Sequence, residues 1–182
     1  MPLRMVEEFI NTRQRDRDNI GTVRQLGDWF REHNLVGVGT FVTEAERDLA
    51  VSVREGLRAL IAANNIDTIE SPWPDGLDPT ARATLIALTV KLPLALDVSV
   101  VPPQLVPHRG TPVDTALATL LCAVATAVAA GTWNRLKACR EPSCRWAYYD
   151  NSRNRHRTWC SMEICGNRAK ARAHHQRRTH SE

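Results

Sequence analysis

The sequence predicts a mainly α-helical protein. A helical N-terminal domain with one short β-hairpin (residues 1–132) is expected to precede a small module made of a hairpin and a helix (residues 133–182). Three observations support this prediction: helix-start signals recur along the N-terminal part, four of the five cysteines lie between residues 139 and 165, and the chain beyond residue 134 is strongly basic. A chain of 182 residues is also long enough to bury one core of ordinary domain size.

Four helix starts are marked in the N-terminal domain. Thr22 and Thr43 each stand three residues before a Gln or Glu, which is the spacing of a capping box. At Asp78–Pro79 and Thr111–Pro112, a capping side chain precedes a proline, and proline is favoured at the first helical position. Apolar residues at three- and four-residue spacing after Thr22 and Thr43 predict one inward face on each helix, and Asn64–Asn65 predicts the end of the second.

Two further segments of this domain have their own patterns. Residues 116–130 are apolar nearly all round, which predicts a central helix buried by its neighbours. Cys122 within it is interpreted as a buried structural thiol. Between residues 92 and 106, apolar residues alternate and then return after Pro102–Pro103, which predicts a β-hairpin. Pro93 favours an edge strand, or a strand start, at that point.

Composition narrows the class of protein. No stretch reaches the ~20 continuous apolar residues of a membrane-spanning helix, and the first residues lack the apolar core of a secretion signal. We therefore expect a cytoplasmic protein without membrane contact. In a reducing cytosol, clustered cysteines bind metal more often than they form disulfides.

The clustered cysteines form two Cys-x4-Cys pairs, separated by fifteen residues: Cys139 with Cys144, and Cys160 with Cys165. Two close pairs of thiolates suit the tetrahedral coordination of one structural Zn²⁺ ion. Three later histidines could compete as ligands, but the cysteines already complete a tetrahedral set: His174, His175 and His180.

The residues around the cysteines predict a fold for the module. Trp146–Tyr149 is strand-prone, and Arg157–Trp159 is expected to be the returning strand of a hairpin that lies between the two cysteine pairs. A helix should begin near Cys165. This order of knuckle, hairpin and helix resembles a treble-clef zinc finger.

The charge of the chain is uneven. Residues 135–182 contain 12 of the 24 Lys and Arg but 4 of the 20 Asp and Glu, so this part is +8 and the rest is −4. Such asymmetry predicts a polyanionic partner. A projecting basic helix fits the major groove of duplex DNA, and Arg168, Arg172 and Arg177 are the principal predicted contacts. The full set of predicted nucleic-acid contacts adds four residues: Lys170 and Arg178 on the helix, with Arg153 and Arg155 at the expected hairpin tip.

Several motifs resemble a known family. They are Cys139-Arg-Glu-Pro-Ser-Cys144-Arg-Trp146, Asp150-Asn-Ser152-Arg153-Asn154, Arg157-Thr-Trp159-Cys160-Ser161-Met162 and Cys165-Gly166-Asn167-Arg168-Ala-Lys170. Together they resemble the CGNR zinc finger, named for its Cys-Gly-Asn-Arg tetrad. In that family the finger commonly follows a mostly helical ABATE domain, and Glu8-Phe9-Ile10-Asn11-Thr12 resembles its opening Phe-x-Asn-Thr segment, as Leu57–Leu60 resembles part of its second helix. The resemblance implies a bacterial transcription regulator.

Three functions remain open at this point. The leading hypothesis is a zinc-dependent, nucleoid-associated DNA-binding regulator, whose body provides homodimerisation, sensing of an unidentified small-molecule ligand, or both. The alternatives are an RNA-binding module, in which Trp146, Tyr148 or Tyr149 stacks on bases, and a protein-interaction adaptor with a structural zinc. Four thiolates leave no open position on zinc, and no nucleophile has a base beside it in sequence, so we expect no catalytic residues and no enzymatic activity.

Overall fold

A computed structural model describes residues 2–68 and 80–179. The chain is mainly helical, with three short two-stranded antiparallel sheets among these residues. The N-terminal domain comprises α1 (Pro2–Ile10), β1 (Arg13–Gln14), β2 (Arg17–Asp18), α2 (Val23–Glu32), α3 (Glu44–Ala62), a 3-10 helix (Ala63–Thr68), α4 (Ala81–Thr89), β3 (Leu94–Asp97), β4 (Gln104–Pro107) and α5 (Pro112–Ala129). The finger comprises a 3-10 helix (Trp133–Arg135), β5 (Leu136–Ala138), β6 (Ala147–Tyr149), a helical turn (Met162–Gly166) and α6 (Asn167–Thr179).

Three of the predicted helix starts are confirmed. Thr22, Thr43 and Thr111 each precede a helix and each closes a complete capping box. In each box the Thr side chain accepts from the backbone N–H three residues later, and the side chain at that later position accepts from the Thr backbone N–H. The start predicted at Asp78–Pro79 lies outside the described residues, and α4 is described from Ala81.

The core forms where the apolar faces of α1, α2, α3 and α5 meet. α2 buries Leu26, Trp29 and Phe30, and α3 buries Leu57 and Ile61 among others, as the spacing of apolar residues predicts. α3 ends at Ala62, close to the stop predicted at the two asparagines.

The predicted central helix is α5. It packs against α1, α3 and β4 and buries eight residues, Cys122 among them. Residues 113–125 are all buried or half-buried, and apart from Pro112 the exposed residues lie in the last turn, where Val128 is 56% exposed, so the neighbours cover the helix except at its ends. Among the described residues, α5 is the one helix long and apolar enough to cross a membrane by length and composition alone.

The predicted hairpin between residues 92 and 106 is confirmed as β3–β4. Leu94 lies opposite Pro107, and Asp97 lies opposite Gln104, so Pro93 immediately precedes the first strand. Leu92 is buried, whereas Leu96 is 61% exposed, because only the base of the hairpin reaches the core. A second hairpin, β1–β2, was not predicted, since its strands are two residues long and highly charged.

The hairpin of the finger differs from the prediction. β6 pairs with β5, which precedes the first cysteine, and Ala138 lies opposite Ala147. Residues 157–159 do not form a strand. Since Cys139 and Cys144 both lie in the connection between the strands, the first cysteine pair closes this hairpin, rather than preceding it.

The finger hairpin belongs to the core of the body. Leu136, Ala138 and Ala147 are buried in the same cluster of apolar side chains as the helices of the N-terminal domain. The side chain of Asn64 donates to the carbonyls of residues 133 and 136, and that of Asn65 donates to the carbonyl of Ala138. The 3-10 helix that follows α3 is thereby fixed to the segment that contains β5.

Candidate metal centre and nucleic-acid interface

The four predicted ligands are brought together. The sulfur atoms of Cys139, Cys144, Cys160 and Cys165 all lie within 4.8 Å of one another. The Sγ atoms of Cys144 and Cys160 are 3.6 Å apart, and those of Cys160 and Cys165 are 3.7 Å apart. Four sulfurs bound to zinc at about 2.3 Å define a tetrahedron with edges of about 3.8 Å, so the donor set fits one structural Zn²⁺ ion.

The proximity of the thiols makes a cation necessary for full ionisation. The hydrogen bond with Cys144 and burial both raise the pKa of Cys139, and the same bond lowers the pKa of Cys144 to about 5. Burial and the negative charge on Cys144 raise the pKa of Cys160 to about 12. A bound Zn²⁺ supplies the positive charge that allows all four to be thiolates.

The turn that carries the first two ligands is held by backbone hydrogen bonds. The N–H of Cys139 donates to the carbonyl of Trp146 at 2.8 Å, and the N–H of Cys144 donates to the carbonyl of Glu141 at 2.8 Å. Arg145 follows in a left-handed backbone conformation, with φ of 54°, which reverses the chain toward β6.

The segment between β6 and Cys160 is organised by one buried carboxylate. Asp150 is fully buried, and its Oδ1 accepts from the N–H and the hydroxyl of Ser152. Its Oδ2 accepts from Lys137 at 3.0 Å and from the N–H of Arg157 at 3.1 Å. Burial alone would raise the pKa of Asp150, but the hydrogen bonds from Ser152 and Lys137 hold it below its usual range. The Asp-Asn-Ser motif therefore positions the loop that contains Arg153 and Arg155, both of which are exposed.

The Cys-Gly-Asn-Arg tetrad begins the basic helix. Cys165 is a ligand, and a Cβ on Gly166 would lie 2.4 Å from the Sδ of Met162 and 3.3 Å from Trp159, so a larger residue here would require the half-exposed Met162 side chain to move. The side chain of Asn167 donates to the carbonyl of Glu163 at 2.8 Å. Arg168 is exposed at the first turn of α6, which confirms the helix expected near Cys165.

An ion pair fixes α6 against the cysteine turn. The two Nη atoms of Arg172 donate to the two carboxylate oxygens of Glu141 at 2.9 and 2.7 Å. The Glu141 side chain is 2% exposed, and its hydrogen bond with Arg172 holds its pKa below the usual range against the effect of burial. Arg172 therefore has a structural partner that the sequence analysis missed; its contact with DNA stays a prediction.

The orientation of Arg172 determines which face of α6 is turned outward. Residues of an α-helix are rotated by about 100° each, so positions two residues away lie on the opposite side. Lys170 and His174 are such positions, and both are exposed, as is Arg177 one turn further along the helix. The side chain of Arg178 and all of His180 lie outside the described residues.

The aromatic residues of the finger mostly pack inward. Tyr148 is buried, its hydroxyl donates to the carbonyl of Arg157 at 2.6 Å, and the guanidinium of Arg157 lies 4.8 Å from its ring centre. Trp146 and Tyr149 are half-buried and pack against the finger core and the body core respectively.

The interface between body and finger contains polar residues that were not predicted from the sequence to be functional. The carboxamide of Asn11 donates to the carbonyl of Ala147 at 2.9 Å and accepts from its N–H at 2.8 Å, as a neighbouring strand would. Arg58, which is 4% exposed, donates to the carbonyls of Ile10 and Arg145, at 2.7 Å each. The Phe-x-Asn-Thr segment was the available signal, because it contains Asn11.

A helical body packed onto a four-cysteine centre with a basic helix defines a zinc-finger protein with a helical partner domain. The model of the family described as "Putative stress-induced transcription regulator" (ABATE) matches residues 3–132, and the "CGNR zinc finger" model matches residues 135–178. The chain belongs to the ABATE family and carries a CGNR zinc finger after that domain, in the order expected from the motifs. No curated protein matches the chain.

Proposed function

We propose that the protein is a zinc-dependent transcription regulator that binds duplex DNA through α6 of its finger. The observation that carries this proposal is the Arg172–Glu141 ion pair, which presents the opposite face of α6, with Lys170 and His174, to solvent. A cationic helix face held by a rigid ion pair suits insertion into the major groove, where Arg and Lys bind guanine edges and phosphates.

The proposal assigns different roles to the basic residues of the finger. Lys170 and Arg177 are exposed on the face of α6 opposite Arg172 and are its primary DNA contacts, whereas Arg168 is exposed in the first turn, four residues before Arg172, and would contact flanking phosphates. Arg153 and Arg155 are exposed on the loop held by Asp150, where they would contact phosphates. Arg157 instead packs on Tyr148 and donates to the carbonyls of residues 159 and 160, so it serves the fold.

The same proposal gives the metal a structural role and the body a regulatory one. Four thiolates leave zinc without a position for water or substrate, which is why we assign no enzymatic activity. A cavity of about 800 Å³ lies between α1, α5 and β6, and is a candidate for the small-molecule site of the body. We place the activity at the nucleoid, in the cytoplasm.

RNA binding is less well supported. Sequence-specific recognition of single-stranded RNA commonly uses exposed aromatic rings on which bases stack. Tyr148 is buried, and its hydroxyl and ring face are both occupied by Arg157. The observation that favours DNA is therefore the helix face, and the aromatic residues of the finger give RNA little support.

A salt titration tests the proposal. Zinc-loaded full-length protein is titrated against random-sequence duplex DNA over a range of NaCl concentrations, with single-stranded RNA as competitor. We expect affinity to fall steeply with salt, and the log–log slope to lose about 0.9 for each phosphate contact removed, as in Lys170→Ala. Arg82→Ala, which removes an exposed arginine from the body, is the matched control.

The outcomes separate the three functions. Selection of duplexes through repeated binding should enrich one sequence, and the enrichment should be lost in Lys170→Ala with Arg177→Ala. Preferential displacement of the duplex by single-stranded RNA would replace the proposal by the RNA-binding alternative. Weak binding that is insensitive to salt would favour the adaptor alternative, because phosphate contacts release counterions.

A further inference from the structure

A basic hairpin of the N-terminal domain lies beside the finger. The β1–β2 segment reads Arg-Gln-Arg-Asp-Arg-Asp over residues 13–18, and its first five side chains are exposed. Asp18 is engaged by Arg54, which binds both carboxylate oxygens at 2.7 and 2.9 Å. Among residues 2–68 and 80–179, no acidic side chain forms an ion pair with Arg15 or Arg17, so their positive charge faces solvent.

The hairpin is held rigidly in this position. Arg54 is 2% exposed and also donates to the hydroxyl of Thr12 at 3.2 Å, so the base of the hairpin is fixed to α3. The Nε of Arg15 donates to the carbonyl of Ser143, in the cysteine turn, at 3.2 Å. The hairpin is thus bound to the body on one side and to the finger on the other.

The hairpin lies beside the first turn of the basic helix. A cleft is lined by Gln14 and Arg15 from the hairpin, and by Ile164 and Arg168 from the start of the finger helix. The cleft is also lined by Cys144, Cys160 and Cys165, which are half-buried or buried, and a zinc ion with four thiolates carries a formal charge of −2. A phosphate would therefore be repelled by the metal centre and attracted to the exposed guanidinium groups of Arg15 and Arg168.

We infer that the β1–β2 hairpin is a second DNA-binding element, which holds the phosphate backbone of the duplex that α6 engages. The inference rests on the proposed function of α6. Duplex DNA carries one negative charge per about 1.7 Å of its axis, so a basic element next to a groove-binding helix meets phosphates on the adjacent strand. The body thereby contributes directly to affinity, and Arg17 with Arg15 provides the contacts.

The test compares two charge reversals in zinc-loaded full-length protein. Among the described residues, no hydrogen bond or ion pair joins the Arg17 side chain to the finger, and Arg82 on α4 is also an exposed arginine of the body, so Arg17→Glu and Arg82→Glu change the net charge identically. Dissociation constants for random-sequence duplex DNA are measured over a range of NaCl concentrations. We expect Arg17→Glu to weaken binding by roughly 10-fold at 0.1 M salt and to reduce the salt slope by about 0.9, whereas Arg82→Glu stays near wild type.

A second pair of variants and a folding control complete the test. Arg15→Ala with Arg17→Ala should reduce the slope by about 1.8, and zinc content and thermal unfolding are measured for every variant. Equal effects of Arg17→Glu and Arg82→Glu, with Lys170→Ala still impaired, would overturn the hairpin inference and leave the proposed function intact. Absence of salt-dependent DNA binding by the wild type would overturn both.

Discussion

The carboxamide of Asn11 takes the place of a third strand beside β6. It pairs with both backbone groups of Ala147, a residue that is itself fully buried. The contact spans 136 positions in sequence, so it forms only when body and finger are both folded. The side chain of Asn11 thus joins the body to the finger through two buried hydrogen bonds.

We predict that Asn11→Ala destabilises the whole chain. The substitution leaves a buried N–H and a buried C=O without partners, each of which costs about 1–3 kcal/mol. Urea unfolding of the zinc-loaded protein measures the loss. Asn154→Ala, at an exposed position of the finger loop, is the control and should change the unfolding free energy by less than about 0.5 kcal/mol. Equal effects of the two variants would show that the Asn11 contact contributes nothing.

Arg172 and Lys170 should have separable effects, although both are basic residues of α6. Arg172→Ala leaves the Glu141 carboxylate buried without its arginine partner, so we expect a lower denaturation midpoint for the chain. Lys170→Ala should leave that midpoint unchanged and weaken DNA binding. Tryptophan fluorescence during urea unfolding measures the first effect. Identical midpoints for Arg172→Ala and wild type would show that the ion pair does not hold the helix.

The contribution of the Glu141–Arg172 pair should depend on pH. The pKa of Glu141 is held below its ordinary value of about 4.3, so the folded state favours the ionised form. A depressed carboxyl pKa stabilises the protein above the ordinary value, and this stabilisation is lost as pH falls through the folded pKa. The difference in denaturation midpoint between wild type and Arg172→Ala should therefore stay at its full value from about pH 5.5 to about pH 7, where the carboxyl group is ionised. This difference should become smaller below about pH 4.3, where the carboxyl group takes up a proton. A difference that does not narrow would exclude a carboxylate as the partner.

At the scale of elements, α3 and α4 approach each other closely at a glycine. A Cβ on Gly56 would lie 2.4 Å from the Cβ of Leu85 and 3.1 Å from the carbonyl of Ala81. The end of a flexible side chain could move away from the added Cβ. The Cβ of Leu85 and the backbone oxygen of Ala81 could move only if the whole helix α4 moved. The packing of α4 on α3 therefore requires glycine at this position.

We predict that Gly56→Ala lowers the unfolding free energy by about 1–3 kcal/mol, the cost of overpacking, despite the higher helix propensity of alanine. Gly27→Ala in α2 is the matched control. There the added Cβ would lie 3.5 Å from Val42, an ordinary contact, so the propensity gain should leave stability unchanged or slightly raised. Thermal unfolding of both variants measures these changes in stability. A melting temperature of Gly56→Ala above that of wild type would show that α3 and α4 can accommodate the added methyl group without loss of stability.

The elements that the sequence predicted correctly are those with local signals. The capping boxes at Thr22, Thr43 and Thr111 depend on residues three positions apart, and all three helices begin where expected. The partner of β6 could not be found this way, because β5 is a short segment without alternating polarity and lies on the far side of the cysteine turn. Its pairing is set by the metal ligands and by the body core.

The candidate site likewise contains some residues that local sequence predicts and some contacts that only the fold determines. The four cysteine ligands could be predicted from their spacing, because two close pairs of cysteines are the usual pattern of a structural zinc site. The partner of Arg172 lies 31 positions away, and its identity depends on how α6 crosses the cysteine turn. Exposure and direction of basic residues are therefore properties of the fold, whereas their number is a property of the sequence.

We expect the whole molecule to unfold as one cooperative unit, because the finger hairpin is part of the body core. Leu136, Ala138 and Ala147 are buried together with residues of α1, α3 and α5. Buried hydrogen bonds from Asn11, Arg58 and Asn65 also join the body to the finger. A zinc finger joined by a flexible linker would instead unfold independently of its neighbour.

We predict that removal of zinc lowers the melting temperature of the entire chain in a single transition. Structural zinc contributes several kcal/mol to folding, and 1 kcal/mol shifts the melting temperature of a 150–250-residue domain by roughly 2–4 °C, so a decrease of about 10 °C or more is expected. Calorimetry with and without a chelator measures the shift. Cys160→Ser should reproduce the effect of the chelator, whereas Cys122→Ser, outside the metal centre, should leave the response to the chelator intact. Two separate transitions, with the body melting at the same temperature in both conditions, would show that the shared core does not couple the finger to the body.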